Sequence, residues 1–199
     1  MLQAADILVY KAGFVPVGED QVQHIELSRE IARKFNARFG QVLPEPQAIL
    51  SCAPRIMGMD GKSKMSKTLG NYIGILEDEG SIWEKVRTAV TDVARVRRTD
   101  AGNPDVCNIY TMHRAFSPDQ AARELDRGCR SASIGCIDCK RVLFTNMMAE
   151  LTPIREKALS LKGQSDYVLD ALHTGAAECR RIAAETMSEV RDALGLMRG

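Results

Sequence analysis

Apolar and polar positions change their period twice within the first forty residues. Residues 2–12 hold a compact apolar stretch of good helix formers and predict a helix, closed by Gly13, which suits a helix C-cap. Phe14-Val15-Pro16-Val17 predicts a short buried strand, with proline restricting it to an edge or an end because it brings no ladder donor. From Glu19 onward Val22, Ile25, Ala32, Phe35 and Phe39 recur at helical spacing, and Glu19 and Asp20 fall in the first turn, where the helix dipole favours acids. Strand, glycine turn and helix over residues 14–40 is the grammar of a parallel α/β sheet, in which ligands bind at strand C-termini.

A proline-containing connection, Leu43-Pro44-Glu45-Pro46, leads to two further short apolar segments, Ala48-Ile49-Leu50 and Arg55-Ile56-Met57. Gly58 to Asn71 is polar and punctuated by glycine, too rich in Gly, Ser and Lys for a core. After Asn71 strand-like runs disappear, and helix formers prevail in Ser81 to Val96, Ser117 to Arg127, Lys140 to Leu161 and Asp166 to Leu196. The last segment aligns Val168, Leu172, Ala176, Cys179, Ala183, Val190 and Leu194 on one stripe, which predicts an amphipathic helix packed on a core, with Cys179 buried in it. The expected architecture is an α/β part followed by an all-α helical domain, divided near residue 75. No internal repeat or low-complexity tract interrupts it.

Composition narrows the possible partners. The 27 Lys and Arg against 26 Asp and Glu leave a net charge of +1, so nucleic-acid binding must be local. The longest apolar runs fall far short of the roughly 18 residues that a membrane span needs. The first residues place Asp6 early with no preceding Lys or Arg, unlike a secretory leader, and point to the cytoplasm. In that reducing compartment six cysteines suit metal binding or burial better than disulfides.

Lys64 and Lys67 flank Met65-Ser66 in a loop able to hold a polyphosphate through point charges and hydroxyl donors, although a Lys-rich loop alone is more often solvated surface. The full order Lys64-Met65-Ser66-Lys67-Thr68, followed by Leu69-Gly70-Asn71, closely resembles the signature loop of class I aminoacyl-tRNA synthetases. There the fifth position is most often Ser, and Thr68 keeps the hydroxyl. Gly18-Glu19-Asp20-Gln21-Val22-Gln23-His24 resembles the ATP-side motif of the tryptophanyl branch, and Ala4-Ala5-Asp6-Ile7-Leu8 resembles that branch's amino-acid pocket. The resemblance covers essentially the whole chain.

The resemblance implies the C-terminal half of a Rossmann-type catalytic domain over residues 1–75 and a helical anticodon-binding domain over 76–199. It implies a tryptophan–tRNA ligase that uses L-tryptophan, Mg-ATP and tRNA(Trp), and a homodimer at full length. Asp6 would be the buried acceptor of the indole N–H, a chemically sensible pairing because indole only donates and a carboxylate only accepts. Gln21 would lie near the substrate amino group; Gly18, Glu19 and Asp20 would form the ATP-binding turn. Ile56 would lie against adenine, and Lys64, Met65, Ser66, Lys67 and Thr68 would cover the triphosphate, with Lys64 and Lys67 stabilising charge on departing pyrophosphate. His24 reads as structural.

Cys107, Cys129, Cys136 and Cys139 follow the pattern C-x21-C-x6-C-x2-C, with Cys52 and Cys179 outside it. Two thiolates separated by two residues can turn onto one ion or cluster, and from spacing alone zinc stands first. The resemblance reverses that order. A subset of tryptophanyl-tRNA synthetases has a closely similar arrangement, one residue different in the first gap, that holds a 4Fe-4S cluster near the docked anticodon. Arg95, Arg97 and Arg98 are either phosphate contacts in that region or a solvated helix face.

The family's second ATP signature, of His-x-Gly-His type, is matched at none of His24, His113 or His173. The resemblance therefore implies that the chain begins inside the family's sequence, with half of the ATP site and no activity by itself. The competing expectation is a non-catalytic fragment that keeps RNA binding or a cluster-dependent interaction. Tyrosyl specificity is disfavoured by the Asp6 and Gly18-to-His24 motifs.

Overall fold

The computed structural model describes residues 1–50 and 56–196; Cys52 and Arg55, named above, lie outside the described residues. The chain is mostly helical with a small parallel sheet. Its contacts form two compact units, Met1–Pro54 with Gln164–Gly199, and Arg55–Gly163. Residue 75 falls inside the second.

In the first unit, α1 (Leu2–Val9) stops earlier than Gly13. Lys11 takes the left-handed conformation with φ 50°. Its N–H donates to Leu8 O at 3.0 Å while Ala12 N donates to Ile7 O at 3.2 Å, the paired bonds of a Schellman end. A lysine holds this glycine-like position with its Nζ 2.6 Å from Glu189. Gly13 instead opens the sheet, its carbonyl accepting from Gln47 N at 2.9 Å. Strands β1 (Phe14–Val17) and β2 (Gln47–Leu50) run parallel with Phe14 opposite Gln47 and Pro16 opposite Ile49, joined through α2 (Val22–Phe39). Phe14, Ile49 and Leu50 are exposed rather than buried, because this is a two-stranded sheet among the described residues.

Helix α2 buries Ile25, Ser28 and Ala32 on the expected face. Ala32 joins Leu8 and Leu43 in a small core, with Phe35 and Val190 against it. The turn after α2 uses Gly40 at φ 100°, and Asn36 closes it by accepting from Val42 N and Leu43 N, both at 3.0 Å.

Helix α7 (Ser165–Ala193) corrects the expectation of a packed stripe. Thr186 is its one fully buried residue among those described, while Val168, Leu172, Leu194 and Cys179 are exposed. Length is the reason: 29 residues extend over about 44 Å, whereas the eight-residue α1 that packs on it spans about 12 Å. Cys179 is therefore not a core cysteine. It shares a hydrogen bond with Tyr10, which raises the pKa of that phenol.

The second unit is built from α3 (Glu79–Thr88), α4 (Asn108–Phe116), α5 (Asp119–Arg130) and α6 (Cys136–Leu161). Its core joins Ile82 and Val86 of α3, Ile109 and Met112 of α4, and Leu143 and Met147 of α6. Helix α3 starts where the Asp78 carboxylate accepts from Ser81 N at 2.9 Å, and it ends at Thr88 instead of running on to Val96. Lys140 reaches from α6 to end it, donating from Nζ to Arg87 O and Ala89 O at 2.7 Å each. A buried cation at a helix C-terminus satisfies carbonyls that no further turn could reach. Lys140→Met leaves the buried Ala89 carbonyl without a partner and should cost about 2 kcal/mol of stability, measured as a lowered urea midpoint.

The chain between Thr88 and α4 is held by the buried Asp92 carboxylate, which accepts from Ala94 N at 2.9 Å and Asn103 N at 2.8 Å. Helix α4 is not among the segments that the sequence predicts. Ile109, Met112 and His113 form its buried face at helical spacing, but the segment is only nine residues long and carries poor helix formers.

Candidate functional site

At the C-terminal end of β1, Gly18 caps the short helical turn Glu19–Gln21, and Gln21 N donates to Gly18 O at 3.0 Å. Glu19 and Asp20 lie in its first turn, and Gln21 Nε2 donates to Asp20 Oδ2 at 3.1 Å. His24 is tied to Gln3 of α1, Nδ1 to Oε1 at 2.8 Å, in keeping with a structural role. Asp6 lies mid-helix in α1 on the rim of an apolar hollow lined by Leu8, Val9, Leu43, Met187 and Val190. Its carboxylate is exposed, not buried as expected, because the residues packed around α1 leave that side open.

The loop from Gly58 to Asn71 belongs to the second unit and is far from a free surface loop. Met57 and Lys64 form an antiparallel bridge, Met65 N donates to Ile56 O at 3.1 Å, and Gly58 N donates to Ser63 O at 2.8 Å. Ile56, Met59 and Met65 pack against the core of α3, α4 and α6. Asn71 is buried beneath the hairpin. Its Oδ1 accepts from Ser66 N at 2.8 Å, and its Nδ2 faces both carboxylate oxygens of Asp60 at 3.3 Å, Ser63 Oγ at 3.3 Å and Lys64 O at 3.4 Å.

Asp60 also accepts from Lys62 N at 3.1 Å. The Lys62 amide first, then the Asn71 and Ser63 groups, hold its carboxyl below the usual range. From the other side Asn108, at the start of α4, donates from Nδ2 to Gly58 O at 2.8 Å. The outcome is a fixed backbone from which Lys64, Lys67 and Thr68 remain exposed. Of the expected ATP-site residues, Gly18, Glu19 and Asp20 belong to the first compact unit, and Ile56 and Lys64 to Thr68 to the second.

The cysteines form the other constellation, and all four belong to the second unit. Cys107 caps α4, Cys129 lies in the last turn of α5, and Cys136 and Cys139 occupy the first turn of α6. Burial pushes the Cys139 thiol up to about 12, and repulsion from Cys107, Cys129 and Cys136 adds to it, which places all four in one neighbourhood. Gly102 permits the approach, since a Cβ there would lie 2.6 Å from Cys129 Sγ. Among the described residues no three Cys, His, Asp or Glu side chains are drawn together as ligands of a single ion.

Arg95 and His113 complete this region; the sequence offers Arg95 as a phosphate contact or a solvated helix face and gives His113 no role here. Arg95 Nη1 lies 3.7 Å from Cys129 Sγ, and its Nη2 donates to Ile134 O at 2.8 Å and Arg98 O at 2.9 Å. It is neither on a helix nor freely solvated, whereas Arg97 and Arg98 are exposed, with Arg98 at 3.9 Å from Asp138. Burial lowers the pKa of His113 to about 4, so its imidazole is neutral at pH 7. Its Nε2 faces the Cys139 carbonyl at 3.1 Å and must carry the proton; Nδ1 then accepts from Ser117 Oγ at 2.7 Å, which accepts from Asn146 Nδ2 at 2.8 Å. This chain also holds Nε2 at 3.4 Å from Cys139 Sγ.

The sequence profile of the family described as tRNA synthetases class I (W and Y) matches residues 1–152. The tryptophan–tRNA ligase of Deinococcus radiodurans is 55% identical over 198 residues, covering 99% of this chain and 60% of that protein. The tryptophan–tRNA ligase of Thermotoga maritima is 48% identical, with the same coverage of 99% and 60%. Among solved structures, the tryptophanyl-tRNA synthetase of Campylobacter jejuni complexed with ADP and tryptophan matches with a TM-score of 0.71 at 32% identity, over 98% of this chain and 60% of that one. The chain spans about three fifths of the length of the relatives it matches.

Proposed function

The chain belongs to the class I tRNA synthetases for tryptophan and tyrosine, and on that premise we propose that it serves as part of a tryptophan–tRNA ligase. The observation that carries this reading is the clamped hairpin that exposes Lys64 and Lys67. Tryptophan carboxylate attacks the α-phosphate of Mg-ATP and pyrophosphate leaves; a hydroxyl of the 3′-terminal ribose of tRNA(Trp) then attacks the adenylate carbonyl, takes the tryptophanyl group and releases AMP. The substrate supplies the nucleophile, so the protein contributes position and charge.

Lys64 and Lys67 balance charge growing on the leaving pyrophosphate, with Met65, Ser66 and Thr68 along the triphosphate. Gly18, Glu19 and Asp20 receive the ribose side of ATP, and the Ile56 main chain lies against adenine. Asp6 accepts the indole N–H, and Gln21 lies near the substrate amino group. Asp6 is exposed in the described chain, so the bound indole itself has to cover it. Leaving the covered carboxylate unpaired is what would reject a side chain without a donor.

By role, residues 1–75 contribute to a Rossmann-type catalytic domain and 76–199 to a helical tRNA-binding part, with α7 returning to the first compact unit. We place the protein in the cytoplasm and assign it L-tryptophan, ATP, tRNA(Trp) and a second copy of itself as partners. No helix among the described residues is long and apolar enough to cross a membrane.

We propose that Cys107, Cys129, Cys136 and Cys139 would hold a 4Fe-4S cluster, with zinc as the second choice. With Zn–S near 2.3 Å, a single zinc pulls four sulfurs to about 3.8 Å from one another. The C-x21-C-x6-C-x2-C spacing supports the reading, while among the described residues no three such side chains are drawn together around one ion. When bound, such a cluster would supply a covalent cross-link among the ends of α4, α5 and α6. The four cysteines would bind it as thiolates and release their protons. Arg95 would balance charge beside Cys129, and the exposed Arg97 and Arg98 would face RNA phosphate.

Charging of purified tRNA tests the reading. The protein produced from its own gene should attach tryptophan to tRNA(Trp) in an ATP-dependent manner. Charging of tRNA(Tyr) with tyrosine instead would overturn it.

A further inference from the structure

We infer that Asn71, acting through its contact with Asp60, is a positioning residue that fixes the direction in which Lys67 leaves the loop. The inference rests on the activation reading above and adds residues outside the Lys64-to-Thr68 motif. Ser66 precedes Lys67, and its N–H is bound by Asn71 Oδ1 at 2.8 Å, the shortest contact that Asn71 makes. The two protons of Nδ2 are divided among longer contacts of 3.3 to 3.4 Å, to Asp60, Ser63 and Lys64 O. The Asn71 main-chain carbonyl also accepts from Met59 N at 3.0 Å, which closes the base of the hairpin.

The site requires a side chain that accepts and donates at once. Leucine would fill the space and leave the Ser66 N–H and the Asp60 carboxylate without these bonds. Aspartate would set two carboxylates side by side. The space is committed as well, since a Cβ on Gly58 would lie 2.1 Å from Asn71 Nδ2. Asn108 binds Gly58 O at 2.8 Å, so the clamp continues into the first turn of α4. A loop whose charges must meet phosphates in one geometry loses reaction rate, rather than tryptophan affinity, when its backbone is free to wander.

The test combines Asn71→Asp, Gly58→Ala and the exchanged pair Asp60→Asn with Asn71→Asp, which restores one donor and one acceptor between the two positions. On the 199-residue chain, trypsin cleavage after Lys62, Lys64 and Lys67 is followed by mass spectrometry. Each single substitution should accelerate cleavage about tenfold or more with helix content unchanged, and the exchanged pair should return it toward wild type.

In protein produced from its own gene, Asn71→Asp should lower kcat of tryptophan-dependent pyrophosphate exchange by about 10²-fold with tryptophan KM within about twofold, again recovered by the exchanged pair. Unchanged cleavage in Asn71→Asp and Gly58→Ala, or failure of the exchanged pair to recover either readout, would overturn the assignment. If wild-type protein shows no exchange, the activation reading fails, and cleavage with its recovery still decides whether Asn71 and Asp60 position the loop.

Discussion

Replacing Lys67 by Ala lowers the rate of tryptophanyl-adenylate formation by about 10² to 10³-fold, the effect of removing one preorganised group that meets developing charge. Tryptophan KM should stay within about threefold, because in the proposed role the lysine serves the phosphates and not the amino acid. The structure makes this a clean experiment. Lys67 is exposed, and the hairpin that carries it is held by the Asn71, Asp60 and Asn108 side chains rather than by Lys67 itself. Loss of folding should therefore not contaminate the kinetics. Single-turnover adenylate formation in the protein produced from its own gene is the measurement, and equal losses in rate and tryptophan affinity would contradict the role.

Cys139→Ser produces the second large effect. Anaerobically purified wild-type protein should contain about four irons and four acid-labile sulfides per chain, and the variant should contain little of either. Cys139 is the most consequential ligand to remove because its environment is the most built. Repulsion from the other three thiols adds to the burial that raises its pKa, His113 donates to its carbonyl, and that imidazole is oriented in turn by Ser117 and Asn146. Losing the cross-link should also loosen the first turns of α4 and α6 and lower the thermal midpoint by several degrees. Stoichiometric zinc without sulfide in the wild type would reject the cluster.

The elements that could be read from sequence are those in which one period persists. The strand at Phe14–Val17, the helix through Ile25 and Ala32, the strand at Gln47–Leu50 and the long α6 and α7 follow their apolar spacing. Three features resisted reading because another part of the chain determines them. Helix α3 ends where Lys140, 51 positions from Ala89, takes its last carbonyls. Helix α1 ends on a left-handed lysine, closed by backbone bonds to Leu8 O and Ile7 O, with its side chain paired to the distant Glu189. The stripe on α7 is amphipathic in sequence yet largely open, because periodicity reports a face and not what covers it.

The candidate site divides in the same way. The lysine motif and the Cys136–Cys139 pair are local patterns and stand out in one dimension. The clamp of Asp60, Asn71 and Asn108, the bond from Arg95 to Ile134 O and the role of His113 rest on side-chain bonds to backbone and to one another, which leave no spacing to read. Asn71 did stand next to the motif, and its type was informative: a residue that both donates and accepts, placed just beyond a loop that needs fixing.

Amino-acid-dependent exchange of labelled pyrophosphate into ATP tests the central claim most directly, because the proposed roles of the lysine loop, the Gly18 turn and Asp6 all bear on it and it needs no tRNA. With the protein produced from its own gene, tryptophan should support exchange and tyrosine should not. Exchange that depends on tyrosine, or that is absent with every amino acid, would contradict it.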